Sequence, residues 1–188
     1  ELGFDLHPVI LQDILAVDQR PKVEEMEDYL YIRLKMIYAT SKERKIVEEQ
    51  VSLIIAKKFV ISTQQGIVGD VFDSVRHAIR NEKSTTRHSG TDYLGYKLLD
   101  AIVNGYFGVL ELYGEQMEAV EDEMLRDPRK KTLHALHHLK RGILDMRKAV
   151  WPLREVISAL ERDDSPIIKK ATRIYLRDVY ERVVQIID

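Results

Sequence analysis

The chain has 188 residues, of which 45% are hydrophobic and 32% are charged, so it is long enough to bury a substantial core in one or two domains. Its 29 basic and 31 acidic residues give a net charge of -2, which argues against a nucleic-acid-binding surface. Cysteine is absent, which excludes disulfides and thiolate metal sites, and no apolar run reaches the roughly 18 to 20 residues of a membrane-spanning helix.

The first 90 residues combine strand and helix patterns. The segment LHPVILQDIL carries a proline near a helix start and apolar residues on successive turns, which predicts a short helix. YLYIRLKMIY alternates apolar and polar side chains, which predicts a half-buried strand. VSLIIA and FVIST predict two strands joined as a hairpin at Lys57 and Lys58, and DVFDSVRHAIRNE returns to helical spacing. We therefore expect an α/β domain over residues 1–90.

Two long antiparallel helices are predicted over residues 91–163. After the polar loop NEKSTTRHSG, Thr91 or Asp92 can cap the first helix. Its apolar residues recur every three or four positions over about 34 residues, on the order of 50 Å of helix. Pro128, in RDPRK, ends this helix, and the second one continues to RDDSP.

The last predicted element is a stalk helix that begins within residues 164–188. The closing segment YLRDVYERVVQIID keeps its apolar residues at helical spacing and contains no helix stop signal. We therefore expect the helix to continue in a longer protein. Helices of this length need partners along most of their surface. Gly105 and Gly108 in the first long helix indicate either a close approach of backbones or flexible bends. The predicted fold class is α+β: an N-terminal α/β layer, two long antiparallel helices and a C-terminal stalk helix.

Motifs for catalysis are missing from the sequence, so an enzyme is the least favoured class: there is no phosphate-binding glycine loop, no HExxH pattern and no visible nucleophile with its base. His134 and His138 lie four residues apart, but two imidazoles without a third ligand favour a solvated basic face over a zinc site. The acidic stretch ELYGEQMEAVEDEMLRD and the basic stretch RDPRKKTLHALHHLKR would lie side by side, which predicts charge-complementary packing. Trp151-Pro152 predicts a bend in the second long helix.

Five segments in order resemble the cytoplasmic part of the CorA family of magnesium channels, over nearly the whole chain. They are LHPVILQDILAVDQRPKVEEMEDYLYIRLKM, EQVSLIIAKKFVIS, DYLGYKLLDAIVNGYF, RKAVWPLREVISAL and YLRDVYERVVQIID. The resemblance implies a funnel-shaped pentamer on the cytoplasmic face of the cell membrane, with the stalk leading to two membrane spans and a Gly-Met-Asn pore signature. Neither the spans nor that signature is in this sequence.

The resemblance also implies regulatory Mg²⁺ sites, formed by carboxylates of the α/β domain of one subunit and the stalk of the next. By motif position, Asp13 in LQDIL and Asp178 in LRDVY match the main site, and Asp100 in LLDAI and Asp18 in AVDQRP match a secondary site. Gln12 stands where a related member has an acidic residue, which departs from the pattern of the secondary site. The implied function is Mg²⁺ sensing, with the bound ion stabilising the closed channel.

Two alternative functions are also compatible with the sequence. One is a soluble helical module whose long helices bind partner proteins. The other is a zinc, cobalt or nickel transporter of the same superfamily: oxygen ligands without cysteine favour Mg²⁺, whereas His134, His137 and His138 keep zinc open. Co²⁺ is a second candidate ligand for the regulatory site. The isolated chain is compatible with a monomer as well as with a homo-oligomer.

Overall fold

A computed structural model describes residues 6–17, 19–40, 43–67, 69–127, 129–162 and 165–188. Within these ranges, four strands form one sheet: β1 (Lys22–Glu25), β2 (Tyr29–Ala39), β3 (Ile46–Ala56) and β4 (Val60–Gln64). The same ranges contain six helices: α1 (Pro8–Leu15), α2 (Asp73–Arg80), α3 (Thr85–His88), α4 (Thr91–Arg126), α5 (Lys130–Arg162) and α6 (Lys170–Ile187). The predicted α+β class is confirmed.

The sheet is antiparallel throughout, with its strands in chain order. The predicted hairpin at Lys57 and Lys58 is confirmed, because the Ala56 amide donates to the Phe59 carbonyl across the turn at 3.0 Å. The strand β1 is not among the predicted strands, because its segment KVEE contains two glutamates and no run of apolar residues. This strand forms the edge of the sheet beside β2.

The prediction that β2 is half-buried is wrong, because both faces of this strand are covered. Leu34 and Met36 lie in the main core, which α4 and α5 complete on one face of the sheet. On the other face Tyr31 is fully buried in a smaller cluster with Ile10 of α1. Arg33, which the alternation placed on the solvent side, is only 5% exposed. The short helix α1 therefore covers what would otherwise be a solvated face.

The long helices pack as the apolar spacing predicts, with three corrections. The helix α4 has Gly90 as its N-cap residue, without a side-chain cap, so the predicted capping by Thr91 or Asp92 is wrong. The loop before it contains the short helix α3. A Cβ added at Gly105 would lie 3.1 Å from the Ile37 carbonyl oxygen, as close approach requires, but nothing lies within 4 Å of such an atom at Gly108. Pro128, the predicted helix stop, lies outside the described residues.

The third correction concerns the predicted charge-complementary packing between α4 and α5, which the described residues do not show. In the described segments, no ion pair links the acidic half of α4 to the basic half of α5. Glu115 of α4 instead pairs with Arg44, in the loop between β2 and β3. Asp122 pairs with Arg126 of its own helix at 3.7 Å. Apolar contacts hold the two helices together, with Leu112, Val120 and Leu139 among the buried residues.

The main hydrophobic core joins the sheet, α4, α5 and α6 in a single cluster. It contains residues from each of the three predicted segments, 1–90, 91–163 and 164–188. The division into these segments stays a prediction. The helix α5 continues through Pro152, and the predicted bend there also stays a prediction. Across the described ranges, none of the helices combines the length and apolarity needed to span a membrane.

Candidate functional site

Asp178 lies on the outer face of α6. The opposite face of this helix carries a buried apolar stripe, formed by Leu176, Val179, Val183 and Ile187. The Asp178 side chain is 67% exposed, and its carboxylate accepts an ion pair from Arg182, one turn along, at 3.0 Å. Because the stripe fixes the orientation of the helix, the carboxylate is presented to solvent. It is thus available to a ligand or to a neighbouring molecule.

Asp100 lies on α4, directly across from this part of α6. Its carboxylate pairs with Lys97 at 2.9 Å and with Arg182, which also donates to the Asn104 side-chain oxygen at 2.7 Å. Burial raises the pKa of Asp100, but the hydrogen bonds and positive charges of Lys97 and Arg182 outweigh it, so the pKa lies below its ordinary value. The structure therefore brings Asp100 and Asp178 together around one guanidinium.

Three tyrosines pack beside these carboxylates and join α4 to α6. The rings of Tyr96 and Tyr175 stack with centroids 5.1 Å apart, and Tyr93 meets Tyr175 edge to face at 5.4 Å. Burial, together with the negative charge of Asp100, raises the pKa of Tyr96 to about 12, so its hydroxyl stays protonated at neutral pH. The cluster supplies an apolar wall next to the acidic groups.

Asp13 occupies a different part of the chain, on α1 above the edge of the sheet. Its carboxylate accepts a hydrogen bond from Arg33 of β2 at 3.0 Å and pairs with Lys22 of β1. The hydrogen bond from Lys22, reinforced by Arg33, lowers the pKa of Asp13. Gln12, beside it, is exposed. Asp13 is therefore ionised at neutral pH, but its charge is balanced by two cations of its own chain.

Within one chain, the structure places Asp13 and Asp178 in separate surroundings. The described partners of Asp13 belong to β1 and β2, whereas the partner of Asp178 belongs to α6. Asp18, the fourth predicted ligand, lies outside the described residues. No group of three or more His, Asp or Glu side chains that could hold a metal ion is found in the described part of the chain. Among the described contacts, none joins Asp13 to Asp178 within one chain.

The chemistry of the two carboxylates fits a magnesium ion. Mg²⁺ prefers oxygen ligands, keeps several waters and is commonly held by only one or two carboxylates. Asp178 presents such an oxygen to solvent, and the lowered pKa of Asp13 keeps its carboxylate in the ligating form. The lysine and arginine beside Asp13 oppose a cation, which favours weak binding. His134, His137 and His138 are exposed on α5, as the solvated basic face predicts.

Most of the positively charged partners of these carboxylates are not predicted by local sequence patterns. Arg182 lies four residues after Asp178, a spacing that indicates contact on a helix. Its second partner, Asp100, is 82 residues away and no local pattern links the two. Lys22 and Arg33 reach Asp13 only because β1 and β2 pair beside α1. A charge search along predicted helix faces would have found the first contact but not the others.

Comparison with known proteins gives one consistent result. Residues 2–188 match the sequence model of the family described as "CorA-like Mg2+ transporter protein". The chain is 46% identical over 185 residues to the "Cobalt/magnesium transport protein CorA" of Thermotoga maritima, covering 98% of this chain and 52% of that protein. It thus spans about half the length of this relative.

Solved structures agree in fold. The complete CorA magnesium transporter of Methanocaldococcus jannaschii superposes with a TM-score of 0.82 and 23% identity, covering 97% of this chain and 57% of the other. The soluble domain of CorA from the same organism gives a TM-score of 0.77 and 24% identity, covering 95% and 70%. The family match extends over nearly every residue, and a relative is 46% identical over 98% of this chain. The chain therefore belongs to the CorA-like Mg²⁺ transporter family.

Proposed function

We propose that this chain is the cytoplasmic, Mg²⁺-sensing part of a CorA-type divalent cation transporter, located at the cytoplasmic face of the cell membrane. The proposed assembly is a homo-pentamer in which Asp13 of one protomer and Asp178 of the next hold a regulatory ion. Family membership supports the transporter role over that of a soluble interaction module. The observation that carries the sensing role is the exposed Asp178 carboxylate on a helix whose other face is fully packed.

The residues of the chain would act through their charges. Two carboxylates about 4 Å apart repel each other by about 1 kcal/mol in water and about 4 kcal/mol at an effective dielectric constant of 20. A bound Mg²⁺ supplies the positive charge that removes this repulsion. Repeated around a ring of protomers, the difference is large enough to favour one arrangement of the assembly over another. We propose that the loaded, symmetric arrangement is the closed state.

A secondary site is proposed at Asp100 and Asp18. Asp100 already has two cationic partners, and Gln12, which stands where a related member has an acidic residue, is neutral, so we expect this site to be weaker than the main one. The proposed cations are Mg²⁺ and Co²⁺. The support is the description of the 46% identical relative as a cobalt/magnesium transport protein, together with the oxygen ligands of the site.

Asp178→Ala tests the sensing role. For the unaltered chain we expect millimolar Mg²⁺ to slow proteolysis and to raise the mass measured by light scattering, because the ion joins neighbouring protomers. In Asp178→Ala both responses should be lost. The matched control is Glu181→Ala, which removes another exposed carboxylate of α6, 63% exposed, and should keep both responses. Protection of Asp178→Ala at the level of the unaltered chain would refute the assigned role.

Lys22→Gln should have the opposite effect and strengthen Mg²⁺ binding. Lys22 pairs with Asp13 and also with Glu24 at 2.7 Å, so its removal leaves two carboxylates less neutralised. One exposed charge at this range contributes at most about 1 kcal/mol, so the Mg²⁺ concentration that gives half-maximal protection should fall about threefold to fivefold. Lys45→Gln, which removes an exposed lysine paired with Glu43, is the control. An unchanged or higher half-maximal concentration in Lys22→Gln would contradict a regulatory ion at Asp13.

A further inference from the structure

Trp151 is the only tryptophan of the chain, and it lies on the surface of α5. Trp151 is 44% exposed, although tryptophan is usually well buried in folded proteins. The guanidinium carbons of Arg147 and Arg154 lie 5.8 and 5.3 Å from the centre of the indole ring. One arginine precedes the tryptophan by four residues and the other follows it by three, so both are held next to the ring by the helix itself.

In the described part of the chain, neither of these two guanidinium groups forms an ion pair, although acidic residues outnumber basic ones in the sequence. Glu155 directly follows Arg154 in the sequence, and Asp145, two residues before Arg147, pairs with Lys148 at 3.1 Å. A guanidinium carries five N–H donors in a planar fork that matches the oxygens of a phosphate or carboxylate. The arginines beside Trp151 therefore have donors available for an anion from outside the chain.

An open groove begins at this tryptophan and runs towards the sheet. Its volume is about 730 Å³, within the range of roughly 300 to 1,000 Å³ that is typical of small-molecule sites. The α5 side of the groove is formed by Arg147, Lys148 and Trp151, and the opposite side by the segment before β1, which includes Arg20. The Arg20 guanidinium also has no ion-pair partner among the described residues. Two acidic residues also line the groove, but Glu48 pairs with Lys35 and Asp145 pairs with Lys148. Arg20 on one wall and Arg147 on the other thus keep their positive charge without an ion pair among the described residues.

The combination of groups indicates an anion that carries an aromatic ring. Inorganic phosphate would use the guanidinium groups alone and would leave the indole without a role. A nucleobase, by contrast, stacks on an aromatic side chain with a gain of about 1 to 3 kcal/mol, and its phosphates can bind the arginines. A nucleic-acid polymer would need a long basic surface, whereas the net charge of this chain is -2.

We infer that this groove binds a mononucleotide, with the base stacked on Trp151 and the phosphates held by Arg147 and Arg20, which line the groove, and by Arg154, which contacts the indole from outside that lining. The site lies on α5 and on the segment before β1. Arg33 joins that segment to Asp13, because it donates to the Arg20 carbonyl at 3.3 Å and to the Asp13 carboxylate at 3.0 Å. The groups proposed to hold the nucleotide are nevertheless different from the carboxylates proposed to hold Mg²⁺, so the inference does not depend on the proposed magnesium sensing.

The single tryptophan provides a direct measurement of binding. We expect ATP, added without Mg²⁺, to quench Trp151 fluorescence in a saturable way at submillimolar to millimolar concentration, with excitation at the red edge of indole absorption. Adenosine and tripolyphosphate should each bind at least about tenfold more weakly than ATP, because each supplies only one part of the interaction. Tripolyphosphate binding as tightly as ATP, or no saturable response to ATP, would refute a nucleotide site.

A charge-matched pair of variants completes the experiment, with calorimetry replacing fluorescence because the arginines contact the indole. Arg147→Gln/Arg154→Gln should weaken ATP binding about tenfold or more. Lys140→Gln/Arg141→Gln removes the same charge from exposed positions of the same helix outside the groove and should retain binding within about twofold. Equal affinity in both double variants would show a general attraction of the helix for anions and would overturn the proposal.

Discussion

Asp92→Ala is expected to destabilise the folded chain by about 3 kcal/mol. Asp92 is 2% exposed, and its carboxylate accepts a hydrogen bond from the Lys169 amide at 3.2 Å and one from the Thr172 hydroxyl at 2.5 Å. Removal of the carboxylate leaves two donors at the start of α6 without this acceptor, the buried Thr172 hydroxyl and the partly buried Lys169 amide. Hydrogen bonds to a charged group contribute about 1.5 to 3 kcal/mol each, and a buried unpaired donor costs about 1 to 3 kcal/mol.

Thermal and urea unfolding measure this loss. For a chain of this size, 3 kcal/mol corresponds to a decrease in Tm of about 6 to 12 °C. Asp92→Asn keeps one acceptor oxygen and should lose about half as much. Asp122→Ala, at an exposed position of the same helix, should change stability by less than about 0.5 kcal/mol. A loss below about 1 kcal/mol in Asp92→Ala would show that Asp92 does not hold α6 against α4.

Arg182→Met should cost about 2 kcal/mol at neutral pH. The change leaves Asp100, which is 8% exposed, with Lys97 as its only cationic partner among the described residues. Loss of one member of a buried ion pair commonly costs about 3 to 5 kcal/mol, and the remaining lysine reduces this value here. Arg177→Met removes an exposed arginine of the same helix, paired with Glu181 at 3.6 Å, and should change stability by less than about 0.5 kcal/mol.

The pH dependence separates the ion pair from a simple loss of packing. The pKa of Asp100 is lowered in the folded chain, so its stabilising contribution is present above the ordinary carboxylate pKa and is lost as the pH falls through the folded value. The difference in unfolding free energy between the unaltered chain and Arg182→Met should therefore shrink on acidification. Asp100→Asn/Arg182→Met should be more stable than Arg182→Met alone at neutral pH. A difference that is constant with pH would contradict this account.

Local patterns in the sequence predicted the elements well, because the long helices and β2 carry strong apolar periodicity. The buried stripe of α6 appeared at the predicted spacing, and the hairpin at Lys57 and Lys58 formed although its turn residues are not favoured ones. The segment KVEE forms β1 because β2 offers it an edge, a tertiary effect that no local propensity records. The burial of Arg33 likewise depends on α1 covering the second face of the sheet.

For the candidate site, the sequence could supply residue identities but not their partners. Motif positions identified Asp13, Asp100 and Asp178 as candidate ligands. Their roles as ligands stay predictions. The pairing of Asp100 with Arg182 joins residues far apart in the chain, and it exists only because α4 packs against α6. Asp92, predicted as a helix cap, instead reaches across to α6. Side chains that bridge elements are set by packing, so spacing within one element does not reveal them.

The continuous core has a mechanical consequence for α6. The inward face of this helix belongs to the same close-packed cluster as residues of the sheet, and Asp92 fastens its first turn to α4. Packed interiors deform little and transmit displacement. A pull on the end of α6 would therefore move the described part of the chain as one rigid lever, and in the proposed assembly the pivot would lie between protomers and not at a hinge inside one of them.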